Sequence, residues 1–217
     1  MEDRWHLLLL MTRLLTGDPV LTFKKAIAFI SNGSLTPDKA TQEALIRAKR
    51  IDGKAIAEKV RAEVAQEVQD WLAAGNAKPG LAVVLVGEDP ASATYVRGKE
   101  RASVEVGMHS ETRRLPTEVT QEELLGVIAE LNADPAITGF LVQLPLPDHI
   151  DDDTVLHAIA PGKDVDGIHP FNMGLLLGGT PRLAPATPTG VLRLLAEEGV
   201  DTSGKHVVIC GRSNIVG

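Results

Sequence analysis

Apolar residues are spaced differently along successive stretches of this chain, and the spacing predicts its elements. From Ile51, Val60, Val64, Val68 and Trp71 recur at helical intervals, and Gly75-Asn76 supplies a stop. Leu81-Ala82-Val83-Val84-Leu85-Val86 is a continuous apolar run, short and rich in β-branched residues, as expected of a strand covered on both faces. Gly87-Glu88-Asp89-Pro90 turns the chain into a second helix, about Ala91 to Val106, and His109 to Leu115 forms the next strand. Thr120 with Glu123 fits a capping box and opens a helix carrying Leu124, Leu125, Ile128 and Leu131. Gly139 to Gln143 is a further apolar strand, ending at Leu144-Pro145-Leu146-Pro147, and a short helix follows near Thr154–Ile159. Thr187-Pro188 caps and begins a helix with Val191, Leu192, Leu194 and Leu195, ended by Gly199. Lys205 to Cys210 reads as a new strand running into the glycine-bounded turn Gly211–Gly217.

Alternating strands and helices predict an α/β domain with a mainly parallel sheet. Ligands of such sheets sit beyond the carboxyl ends of the strands, so the loops after Val86 and Gln143 are the places to look for chemistry. A strand feeding a glycine-bounded turn should open a helix. The expectation is therefore a second domain cut off after its first strand. Residues 1–50 lack the alternation: they hold apolar clusters at Leu7–Met11 and Ala26–Ile30, turn signals, and a polar helix-like stretch from Asp38 to Lys49. They read as an extension with little chemistry of its own. There is no repeat and no low-complexity tract.

Composition narrows the function classes. With 217 residues, 44% of them hydrophobic, a substantial core can form. A net charge of −7 argues against a general nucleic-acid binder, since no basic surplus is there to neutralise phosphates. The single cysteine, Cys210, excludes an internal disulfide framework and any zinc site of several thiolates, which suits a cytoplasmic protein. No apolar run reaches the roughly 18–20 residues that span a bilayer. Leu7–Met11 is short, follows two acids and precedes no small-residue cleavage site, so it does not read as a targeting segment.

A few residues could carry chemistry. Tyr95 and Lys99 lie four apart on one helix face, where a flat ligand could stack on the ring with the amine near its reactive atom; a surface lysine beside a half-buried tyrosine is the plain alternative. Gln143 closes an apolar strand and needs partners: it could hydrogen-bond the Lys99 amine and help hold it in a reactive protonation state, or simply bond loop backbone. Lys163-Asp164-Val165-Asp166-Gly167 places two carboxylates before a glycine turn, where one could bind paired N–H donors bidentately. Metal binding is disfavoured, because Asp151-Asp152-Asp153 looks like a helix N-cap and no metal-ligand spacing occurs. Gly211, Arg212 and Ser213 could hold a phosphate, although Ser213 replaces the second glycine of a dinucleotide fingerprint; an arginine there favours NADP over NAD. Cys210 reads as a buried small hydrophobe.

These pieces stand in the order of one family. Ile51-Asp52-Gly53-Lys54, Tyr95-Val96-Arg97-Gly98-Lys99, Val142-Gln143-Leu144-Pro145-Leu146-Pro147, Lys163–Gly167, Pro185-Ala186-Thr187-Pro188-Thr189-Gly190 and Gly211–Gly217 together resemble the bifunctional methylenetetrahydrofolate dehydrogenase/methenyltetrahydrofolate cyclohydrolase family. The resemblance covers Ile51–Gly217 and leaves residues 1–50 aside. It implies a three-layer, mainly parallel α/β catalytic domain over 51–186, followed over 187–217 by the first strand of a truncated Rossmann-type NADP domain.

It also implies oxidation of 5,10-methylenetetrahydrofolate with NADP to the methenyl form and hydrolysis of that form to 10-formyltetrahydrofolate, within cytoplasmic one-carbon metabolism and purine biosynthesis. Lys99 would be the general acid/base, Gln143 would tune it, Tyr95 would stack on the folate and Asp166 would anchor the pterin. Val142 and Leu144 would contact the folate, and Gly211, Arg212 and Ser213 the NADP. The implied partner is the folate substrate, with no metal, nucleic acid or membrane. The family usually dimerises through its nucleotide domain, so a homodimer is implied for the full-length protein and left open for this chain. Two competing readings are a monofunctional dehydrogenase of the same family and a truncated chain that binds folate, or hydrolyses it, without oxidising it. The presence of both Lys99 and Gln143 favours bifunctionality over the first of these.

Overall fold

The computed structural model describes residues 51–207 and 209. Helix α1 (Gly53–Ala73) opens on Asp52, whose side chain accepts the Ala55 N–H, and buries Ala57, Val60, Val64 and Val68 along one stripe. There follow β1 (Gly80–Val86), α2 (Pro90–Glu105), β2 (His109–Leu115), α3 (Gln121–Ala133), β3 (Gly139–Val142), α4 (Asp152–Ala158), α5 (Pro170–Leu177) and α6 (Ala186–Glu197). The three strands form a parallel sheet in the order β2-β1-β3, with Val86 opposite Leu115 and Val84 opposite Val142. An isolated parallel bridge from Phe140 to Asp164 continues the pairing beyond β3.

Every residue of β1 is buried, because its two faces feed two separate cores. Leu81, Val83 and Leu85 pack with α1, with Val96 of α2, and with Val165 and Leu183. Ala82, Val84 and Val86 pack with Leu124, Ile128 and Leu131 of α3 and Val155 of α4. Alternation along the strand thus yields three layers, helices on both faces of one sheet, as the sequence predicts. Burial of each large apolar side chain is worth about 1.5–3 kcal/mol. β2 instead reads His-Ser-Glu-Thr-Arg-Arg-Leu and ends the sheet among the described residues. Glu111 and Arg113, two apart and so on one face, are ion-paired there. Charge on an edge strand discourages pairing with other chains.

The capping box of α3 is present, with Thr120 and Glu123 bonded reciprocally. Asp151 caps α4 by accepting the Thr154 N–H at 2.7 Å, so the acidic triplet is a helix start. Three details differ from the sequence reading. Helix α5 was not anticipated; its signals are His169 as N-cap, Pro170 at the first helical position and Gly178 after the last. Helix α6 starts at Ala186 with Pro185 at the cap position and no side-chain cap bond, so Thr187 lies inside the helix. Lys205, His206 and Val207 join no strand, while Cys210 and the turn from Gly211 to Gly217, like residues 1–50, lie outside the described residues.

Helix α6 rests on α1 through ion pairs. Arg193 Nη2 lies 2.8 Å from Glu63, and Arg193 Nε donates to Glu197 at 2.8 Å. Lys59 Nζ reaches Glu197 at 2.7 Å. Among the described residues no helix is long and apolar enough to cross a membrane.

Gly167 is where the last loop crosses the chain ahead of α6. Its φ is +67°, and a Cβ there would lie 2.7 Å from the carbonyl carbon and oxygen of Ala184 and 2.9 Å from Pro185 N. Replacing Gly167 with Ala is expected to cost about 2–3 kcal/mol, combining a left-handed backbone with overpacking. Urea unfolding should show a lower midpoint at unchanged slope; an unchanged midpoint would refute the close approach.

Candidate functional site

The parallel sheet brings the carboxyl ends of β1 and β3 to one rim. Gln143, the first residue past β3, donates its backbone N–H to Val84 O at 2.9 Å, which fixes it beside the end of β1. Its side-chain Nε2 donates to Leu144 O at 2.8 Å, so its Oε1 is turned to face another donor. That donor is Lys99, whose Nζ donates to Gln143 Oε1 at 3.1 Å. The predicted pair is therefore formed, and the alternative of a glutamine bonded to loop backbone alone does not describe it.

Helix α2 places Lys99. Asp89 caps the helix by accepting the Ser92 N–H at 2.6 Å, and Pro90 occupies its first turn. Val96 turns into the core while Tyr95 and Lys99 remain half-buried, one turn apart on the same face. Helical side chains lean toward the helix N-terminus, here the end nearest the strand tips, and the four-carbon stem of Lys99 spans the rest. Val142 is buried at the end of β3. Leu144 is half-buried, packs on the α3-side core, and is joined to Pro145 by a cis peptide bond.

The Lys163–Gly167 loop closes the site from a third direction, and each of its residues is held. Lys163 is 4% exposed, and its Nζ donates to Leu131 O at 2.7 Å and Asp134 O at 2.6 Å. A cation there satisfies carbonyls that the end of α3 leaves open. Asp164, 2% exposed, accepts from Gly167 N at 3.0 Å, His169 N at 2.9 Å and Asn172 Nδ2 at 2.8 Å. Val165 packs into the α1-side core. Asp166 O accepts the Ala186 N–H at 3.4 Å, tying the loop to α6.

Part of Asp166 reaches solvent, but its carboxyl is enclosed. Burial raises that carboxyl above the ordinary aspartate range; the nearby Lys99 charge pulls it back down, and the Asp164 charge adds to the rise. Lys99, Gln143 and Asp166 thus form one group drawn from three separate connections. Tyr95, Val142 and Leu144 sit on the same elements, whereas Gly211, Arg212 and Ser213 lie outside the described residues. Sequence reasoning missed Lys163 and Asn172. A lysine beside a buried aspartate pair was the only signal for the first, and an asparagine in an unforeseen helix gave none. Among the described residues no three His, Cys, Asp or Glu side chains converge as metal ligands.

An amine held by an amide, a carboxyl above its usual range and a half-buried aromatic ring, all beside a sheet rim, can bind a flat, N–H-rich heterocycle and move a proton at it. Comparisons with known proteins identify the relatives of this chain. Residues 51–166 match the catalytic domain of tetrahydrofolate dehydrogenase/cyclohydrolase, and residues 185–217 match the NAD(P)-binding domain of the same enzymes. The chain is 55% identical over 176 residues to bifunctional protein FolD of Rhodopirellula baltica, covering 78% of this chain and 59% of that one. It is 59% identical over 167 residues to bifunctional protein FolD 2 of Geobacter metallireducens, covering 77% and 58%. The chain thus spans about three-fifths of the length of these curated relatives.

Among solved structures, the FolD methylenetetrahydrofolate dehydrogenase/cyclohydrolase of Campylobacter jejuni superposes with a TM-score of 0.74 at 46% identity, covering 77% of this chain and 59% of that one. The Trypanosoma brucei methylenetetrahydrofolate dehydrogenase-cyclohydrolase, complexed with NADP and an inhibitor, gives 0.75 at 38% identity, covering 78% and 58%.

The Asp166 carboxyl carries a consequence for stability. Its folded pKa lies above its unfolded one, so the native chain keeps a proton over a window in which the unfolded chain has lost it. Across that window stability falls as pH rises. Asp166→Asn is therefore expected to resist urea better than the unaltered chain at neutral pH. The gap should close as pH drops below the ordinary aspartate range. Equal urea midpoints at neutral pH would mean the carboxyl is not held at a cost.

Proposed function

Because the chain belongs to the tetrahydrofolate dehydrogenase/cyclohydrolase family, we propose that it binds folate at the rim of β1 and β3 and serves two reactions there. One is oxidation of 5,10-methylenetetrahydrofolate to the methenyl form with NADP; the other is hydrolysis of that form to 10-formyltetrahydrofolate. The observation that carries the reading is the hydrogen bond from Lys99 Nζ to Gln143 Oε1, with the Asp166 carboxyl near the same amine.

In this proposal residues 51–186 are the folate domain, and 187–217 begin a Rossmann-type nucleotide domain. The Tyr95 ring stacks on the folate, and Val142 and Leu144 line the cleft beside it. Asp166 accepts the paired N–H donors of the pterin, which favour its ionised form once bound.

Hydrolysis starts from a cation in which one carbon bridges two nitrogens. Water adds to that carbon, and Lys99 takes a proton from the water. The carbon–N5 bond then breaks as Lys99 returns that proton to N5 and the new hydroxyl loses its own proton to solvent, leaving the formyl group on N10. One water is consumed and one proton is released. Gln143 holds the Lys99 amine in place through both transfers, the positioning that makes such proton transfer efficient.

Gly211, Arg212 and Ser213 are the residues proposed to hold NADP, which would supply the hydride acceptor for the oxidative step. The product places the protein in one-carbon metabolism, with formyl transfer in purine biosynthesis as the consumer and the cytoplasm as the compartment. A homodimer through the nucleotide domain is proposed for the full-length protein. A second reading, folate binding or hydrolysis without oxidation, is favoured by the position of Lys99, Gln143 and Asp166. All three lie within 51–166, apart from the nucleotide-domain match at 185–217. NADP affinity separates the two readings.

Decay of methenyltetrahydrofolate absorbance, above the uncatalysed background, is the direct test. Lys99→Met is expected to lower the catalysed rate by at least about a hundredfold, the lower range for loss of a general acid/base, with its circular dichroism unchanged. A folded Lys99→Met protein of full activity would sink the assignment of Lys99. No catalysis by the folded, unaltered chain would sink the hydrolytic reading for this chain.

A further inference from the structure

Asp166 is the carboxyl proposed to meet the pterin, yet the more completely bonded aspartate of the loop is Asp164. Its two oxygens take three donors, from Gly167 N, His169 N and Asn172 Nδ2, at 3.0, 2.9 and 2.8 Å. All three donors lie on the far side of Asp166 in sequence. Asp164 therefore reaches over Asp166 and ties the residues before it to those after it, including the first turns of α5.

Asn172 strengthens this reading. Its Nδ2 also donates to Pro161 O at 3.0 Å, and since both neighbours are acceptors the amide has only one orientation. That orientation leaves Asn172 Oδ1 buried without a hydrogen-bond partner. A buried amide oxygen left unpaired is unfavourable, so the arrangement sacrifices one bond to keep a donor on Asp164. The loop is held on its other sides by Lys163 in the end of α3 and by the backbone of Ala184 and Pro185 against Gly167.

We propose that Asp164 is a positioning residue for Asp166. Through Gly167, His169 and Asn172 it fixes the turn that presents the Asp166 carboxyl, and its own charge tunes the proton affinity of that carboxyl. The inference rests on the folate reading for the ligand but not for the tuning. The charged groups facing Asp166 are Lys99 from α2 and Asp164 from its own loop, acting in opposite directions. Removing the Asp164 charge leaves Lys99 unopposed except by burial, so Asp166 should ionise at lower pH.

The test uses the whole 217-residue chain. Carboxyl carbon chemical shifts are followed against pH by NMR in the unaltered protein and in Asp164→Asn, with Asp166→Asn identifying the resonance. Tetrahydrofolate affinity is measured in parallel by calorimetry. The Asp166 midpoint should move to lower pH in Asp164→Asn, and tetrahydrofolate should bind about tenfold more weakly, the cost of one misplaced charge-assisted contact. A purely structural aspartate would change the folded fraction and leave the midpoint where it was.

An unmoved midpoint, or an unchanged tetrahydrofolate affinity, in a folded Asp164→Asn protein overturns the proposal. Should that variant not fold, Asn172→Ser keeps the Asp164 charge and removes a donor. Weaker tetrahydrofolate binding with an unmoved midpoint is then expected, and unchanged binding overturns the proposal. An unaltered chain that binds no tetrahydrofolate would end the folate reading, and the titration midpoint would still decide whether Asp164 controls Asp166.

Discussion

β1 is paired on both edges and covered on both faces, and the geometry of the site descends from that burial. A strand in this position cannot spare a polar side chain, so it contributes none. What it contributes is direction. Its two neighbours run parallel to it, so the strand ends meet at one rim, and each connecting helix starts near that rim and runs back along the sheet. Gln143 is placed by a backbone bond to Val84, Lys99 by a helix capped just beyond Val86, and Asp166 by a loop in which Asp164 bridges to Phe140. Three chemical groups from distant parts of the chain converge because one apolar strand fixes where each connection begins.

The polar groups of the site are held less comfortably than the core. Asp166 is enclosed with a like charge two residues away and a single lysine to offset it. Asn172 keeps an oxygen unpaired. Functional sites commonly retain such costs because a bound ligand supplies the missing partners. The two well-packed cores on either side of the sheet can carry this burden. The ion pairs between α1 and α6 contribute differently: they are partly exposed and individually weak, and they hold α6 against α1.

Much of this was legible in the sequence. The unbroken Leu81–Val86 run announced a strand buried on both faces, Thr120 and Glu123 announced a helix start, and the Tyr95–Lys99 spacing put both residues on one face. Lys99 and Gln143 were matched correctly because a glutamine at the tip of an apolar strand must find a partner. Helix α5 was not foreseen because Phe171–Leu177 is nearly all apolar and shows no 3.6-residue contrast. The start of α6 was misplaced because Thr187-Pro188 resembles a cap, whereas the tether from Asp166 O to Ala186 N sets the boundary. The bonds of Asp164 were invisible in sequence because their donors are mostly backbone groups, which every residue carries.

Lys163 links two regions that its position in the chain would not associate. Its ammonium group finishes the carboxyl end of α3, while its neighbours Asp164 and Asp166 build the site loop. Separating that loop from the body of the protein would carry the ammonium away and strip Leu131 O and Asp134 O of the hydrogen bonds it donates. The loop and the end of that helix therefore belong to one cooperative unfolding unit. On the timescale of native-state hydrogen exchange, the Asp166 carboxyl is then expected to open with the scaffold rather than ahead of it.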